Sequence, residues 1–152
     1  MRRLRTRATT AVLTLGLATA AFAGAAFAGE LSKKEYKAEI NGVCETANEE
    51  LEVVFDEVFS GLGEDEVPSP SQQEAAAEGA LPIFRQMLDD IEDLDGPNPL
   101  EKKVGKLVDG YRDVADEIED DPAVVFGADS ENPFAKPDKR AEKLGLEECV
   151  QG

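Results

Sequence analysis

The sequence predicts an all-α fold: an up-and-down bundle of three long helices with a short irregular C-terminal helix, stapled by one disulfide. Three observations predict it. Apolar residues recur at spacings of three and four through three long stretches, with no strand-like alternation. Clusters of glycine and proline separate those stretches. The two cysteines stand far apart, Cys44 in the first stretch and Cys149 near the C-terminal end.

Residues 1–28 read as a signal peptide rather than as part of the fold. "MRRLRTR" is a basic n-region, an Ala-rich apolar stretch follows, and Ala26-Phe27-Ala28 is a small-x-small cleavage site before Gly29. Cleavage is expected between Ala28 and Gly29, and a cut after Ala23 satisfies the same rule. Arg2-Arg3 lacks the rest of a twin-arginine motif, which favours the general secretory route. No cysteine stands at the cleavage site to carry a lipid, and nothing later is apolar enough to cross a membrane. Residues 29–152 are then a single acidic helical domain, secreted or associated with the cell envelope.

The leader carries four arginines and no acid, so its removal moves the formal charge from −17 to −21. Such a surface repels nucleic acid, anionic lipid and polyanionic polymers. It suits a cationic ligand or a cationic protein, and the chain is expected to be a monomer.

"LSKKEY" opens the first helix. Ser32 caps it, Glu35 completes a capping box and Leu31 is placed to pack on Tyr36. Tyr36, Ile40, Cys44, Ala47, Leu51, Val54, Val58 and Leu62 form its inner stripe. The second helix starts at Ser69 or Ser71 and buries Ala77, Leu81, Phe84, Leu88, Ile91 and Leu94, with Met87 beside them. Pro82 is expected to bend or divide it. Asn98 as cap and Pro99 at the first helical position open the third, whose stripe is Leu100, Val104, Leu107, Tyr111, Val114 and Ile118. Asp121-Pro122 starts a short helix through Phe126. "GADSENPFAKPDK" holds too many breakers to continue it, and a last turn or two places Ala141, Leu144 and Cys149 inward with Gly145 as the stop.

In an exported chain, two cysteines are expected to bridge. Glu45, Glu147 and Glu148 beside them disfavour a reactive thiolate. A Cys44–Cys149 bridge would pin a weakly helical tail to the first helix.

The absence of histidine rules out Ser-His-Asp and Cys-His nucleophile systems and histidine-ligated metal or haem. No phosphate loop or dinucleotide fingerprint is present. No catalytic, cofactor-binding or metal-ligating residue is therefore assigned, and no cofactor is expected. The acidic runs 64–66, 89–95, 116–121 and 129–131 offer oxygen ligands for Ca²⁺, but with Gly96 as the loop glycine, Ile91 and Lys102 fall on ligand positions. Asn48 is expected to bond a neighbouring helix, Tyr111 to hold its hydroxyl at the rim, and Arg112 to pair with Asp109, Asp113 and Asp116 on the surface.

"EYKAEINGVCETANEEL", "LDGPNP" and "AEKLGLEEC" together resemble small exported helical proteins of high-GC Gram-positive bacteria, many of them lipid-anchored. The resemblance implies a helical domain with one long-range disulfide, and no catalytic residue, since the group has no agreed activity. The resulting expectation is a secreted, non-enzymatic interaction module. Divalent-cation binding or buffering and a carboxylate-dependent hydrolase are the alternatives.

Overall fold

Helix α1 (Lys33–Phe59) begins as its capping sequence dictates. The Ser32 hydroxyl accepts from the Glu35 amide at 3.3 Å, and the Glu35 carboxylate accepts from the Ser32 amide at 3.1 Å. The computed structural model describes residues 31–63, 66–126 and 132–151. The expected signal peptide with its Ala28–Gly29 cleavage point, and the acids Glu64, Asp65, Asp129 and Glu131, lie outside them.

Helix α2 (Pro70–Glu92) starts at the first of its two candidate caps, Ser69, whose amide and hydroxyl both donate to Gln72 Oε1. Pro82 does not divide it. The ring is exposed, while Leu81 and Phe84 on either side are buried, so packing holds both halves in one helix. Helix α3 (Asn98–Asp120) begins one residue early. Pro97 is the boundary residue, and its carbonyl accepts from Leu100 and Glu101. A short α4 (Ala123–Phe126) follows, its first amide bonded to the Asp121 carboxylate at 3.0 Å.

The expectation of an irregular stretch up to residue 139 is corrected by α5 (Ala135–Leu144). Pro137 lies in its first turn, where a backbone N–H has no intrahelical acceptor and its loss costs nothing. Gly145 ends the helix at φ 69°, a left-handed conformation that suits glycine. A 3₁₀ turn, Glu147–Cys149, closes the described chain.

The bundle is all-helical among the described residues. Helix α2 packs against α1 on one side and α3 on the other. The fourth position is filled by two short pieces, α5 against α3 and the 3₁₀ turn against α1. The core runs from Tyr36 and Ile40 through Leu88, Leu107 and Tyr111 to Leu146, each fully or almost fully buried. Val54, Val58 and Leu94 are only half-buried. Gly96 is needed where it is: a Cβ there would lie 2.6 Å from the Tyr36 ring. Gly79 likewise lets α2 approach α1, since its Cβ would meet Val54 at 2.7 Å.

Candidate functional site

The expected disulfide is present. Cys44 on α1 and Cys149 in the 3₁₀ turn are bonded with Cα atoms 5.1 Å apart across a separation of 105 residues, and both are fully buried. Around it the C-terminal segment is held by polar contacts that helical periodicity does not reveal. Asn48 does bond a neighbouring element, as expected, and that element is the tail. Its amide nitrogen donates to the Glu148 carbonyl at 2.7 Å, and its oxygen accepts from Gln151 at 3.2 Å. Asn41, two turns earlier on the same face, accepts from the Glu148 amide and donates to the Gly145 carbonyl.

The Tyr111 hydroxyl is buried rather than at the rim. It lies between Asp138 Oδ1, at 2.8 Å, and the Cys149 carbonyl. Asp138, the one buried charged side chain among the described residues, also accepts from the Gln151 amide at 3.1 Å. Its second oxygen has no hydrogen bond. Burial raises the Tyr111 phenol well above its ordinary range, and the Asp138 carboxylate beside it raises it further. This phenol is a fixed donor, not an acid. The sulfurs are bonded to each other, and together with these hydrogen bonds they latch the C-terminal segment onto α1 and α3.

A groove of about 480 Å³ lies on the surface between α1 and α2. Its floor is apolar: Val43 and Ala47 from α1, and Ile83, Met87 and Leu94 from the α2 side. Four carboxylates line it, Glu39 and Glu50 on α1, Asp90 and Asp93 at the end of α2. No lysine or arginine belongs to its described lining. Gly42 widens it, since a Cβ there would meet nothing within 4 Å. Positions 39, 43, 46, 47 and 50 are one helical face by spacing, adjacent to the inner stripe. The spacing was therefore available in the sequence, but the opposing α2 residues were not.

Arg112 does not pair along its own helix. It reaches across to Asp89 and Glu92 on α2, each at 2.7 Å, while Arg85 on α2 reaches Asp116 and Glu119 on α3. Among the described residues, no group of three or more acids or cysteines is placed to hold a metal ion. No family model, curated protein or solved structure matches this chain.

Proposed function

We propose that this chain is an exported, non-enzymatic binding module whose α1–α2 groove receives a cationic, amphipathic segment of a protein partner. The observation that carries the reading is the groove's composition: an apolar floor edged by Glu39, Glu50, Asp90 and Asp93, with no cation in its described lining. A basic amphipathic helix would bury its apolar stripe on Val43, Ile83 and Met87 and set its lysines or arginines against the rim. The acidic excess of the whole chain would steer such a partner in. Export is supported by the pattern of residues 1–28 and by a disulfide of the kind that persists in oxidising compartments. No helix among the described residues is long and apolar enough to cross a membrane. The likeness to exported helical proteins of high-GC Gram-positive bacteria points the same way.

The test uses the oxidised full-length domain and a synthetic helical peptide of leucine and lysine at i, i+4 spacing, with a glutamate-for-lysine version as control. The basic peptide should bind, more weakly as salt rises, and the acidic one should not. The Cβ that Gly42→Leu adds meets nothing within 4 Å, the rest of the side chain would occupy the groove, and replacing a mid-helix glycine is worth about 1 kcal/mol in its favour. That variant should stay folded and lose binding at least about tenfold. Equal binding by Gly42→Leu and the parent protein, or none by either, would discard the proposal.

A further inference from the structure

At the other end of the bundle, away from the groove, lies a partly enclosed cavity of about 130 Å³ between α1, α2, α4 and the start of α5. Leu51, Phe55, Phe84, Phe126 and Phe134 provide much of its wall, and no charged residue belongs to its described lining. Phe84 meets Phe134 edge to face at 5.9 Å, and Phe55 meets Phe126 in the same way at 6.0 Å. Rings so arranged offer an aromatic guest the same edge-to-face contacts that they make with one another. Ala77 and Ala80, small residues on α2, leave room that a larger side chain would fill. The one polar residue in its described lining is Gln151. Its side-chain nitrogen is occupied by Asn48 Oδ1 and the Cys149 carbonyl, and its side-chain oxygen receives no hydrogen bond from the described residues.

We infer that this cavity is a binding site for a small neutral molecule with the body of one substituted aromatic ring and a single hydrogen-bond donor. An apolar cavity of about 150 Å³ inside a helical protein is known to stay dry and to take benzene, so the volume suits a monocyclic ring and little more. The phenylalanine walls supply edge-to-face contact to such a ring. A carboxylate or ammonium would find no counter-charge among the described lining residues, which favours a neutral ligand over an ion. Among the described residues no donor claims the Gln151 side-chain oxygen, so that oxygen would favour a ring carrying a donor over a plain hydrocarbon. This site is separate from the groove and stands whether or not the groove binds.

The experiment titrates toluene, 4-methylphenol and benzoate into the oxidised full-length domain, followed by methyl-region NMR. Toluene and 4-methylphenol should give saturable shifts at Leu51 and Leu81, with the phenol about five- to tenfold tighter, and benzoate should give none. Ala80→Leu, and the milder Ala80→Val in case leucine disturbs packing, should abolish or sharply weaken both. Gln151→Leu should remove the preference for the phenol while leaving toluene bound. Gly42→Leu should leave all of these titrations unchanged. Absence of saturable shifts for both neutral probes, or full binding in both Ala80 variants, overturns the site. Equal affinity for toluene and 4-methylphenol overturns the role of Gln151.

Discussion

Tyr111 sits with its ring edge-on to Phe84 at 5.7 Å and its hydroxyl on the C-terminal latch, so one side chain joins the apolar core to the tail. Its removal is informative in two ways. Tyr111→Phe leaves Asp138 with one donor fewer in a buried place, and should cost about 1–3 kcal/mol in urea unfolding at neutral pH. The phenol also makes stability depend on alkaline pH. Burial, and then Asp138, raise Tyr111 above its ordinary value of 10, while burial, and then Glu101, raise Tyr36. A raised folded value means that the native state holds its proton more tightly than the unfolded chain does. That stability is fully present below about pH 10 and is lost as pH climbs above it. Tyr36 and Tyr111 are the only two tyrosines in the chain. Tyrosinate absorbance should therefore appear together with the loss of helical circular dichroism, and Tyr111→Phe should fall less steeply above pH 10. Tyrosinate forming well before unfolding would refute the assignment.

Between α2 and α3 the two arginines form reciprocal clamps, each guanidinium crossing to two carboxylates of the other helix. Arg85 holds Glu119 below its ordinary value of 4.5, and Arg112 does the same to Glu92. A lowered folded value means that stability is present above about pH 4.5 and fades as pH falls through the lowered value. These side chains are 36–74% exposed, so solvent screens the pairs. Arg85→Ala and Arg112→Ala should each cost only about 0–1 kcal/mol at neutral pH in urea unfolding. The difference from the parent protein should close when the same measurement is made well below pH 4.5. A loss that persists in acid would mean that the arginine stems pack rather than pair.

The clamps also mark how far the sequence could be read at this scale. The stripes of α1, α2 and α3 were visible because a helix repeats its inner face every three to four residues. That rule names a face and not what it meets. Arg112 was accordingly assigned to Asp109, Asp113 and Asp116, whereas its partners stand 20 and 23 residues back on α2. The C-terminal latch was half legible. Gly145 and the Cys44–Cys149 pairing were foreseen, but Leu146, fully buried between Gly145 and Glu147, belongs to no repeat. Pro137 and Asp138 looked like breakers because proline and aspartate mark turns as often as first helical turns. Their neighbours in space, Tyr111 and Gln151, were needed to tell which.

For the molecule as a whole, the fourth position of the bundle is the weak one: two short helical pieces close a gap that a long helix would fill. The disulfide compensates there. Closing 105 residues into a loop removes chain entropy worth about 4.8 kcal/mol, against a total of about 5–15 kcal/mol for a typical domain. Replacing Cys44 and Cys149 together by alanine should therefore take away up to about that amount and release the tail first, as seen by amide exchange in residues 135–151. The acidic excess sets how this loss shows itself. A chain at −17, or −21 after the expected cleavage, repels itself more when compact than when extended, and at about 0.15 M salt a screening length near 8 Å leaves much of that repulsion in place. Added salt should then raise the melting temperature of both proteins. A gain of about 1 kcal/mol corresponds to ~4 °C in a domain of this size, and salt should restore part of what the cysteine variant lost. The same salt should weaken the basic peptide in the α1–α2 groove, because there the carboxylates attract. Fold and binding would move in opposite directions along one salt titration, and a melting temperature that falls as salt rises would refute the repulsion on which both effects rest.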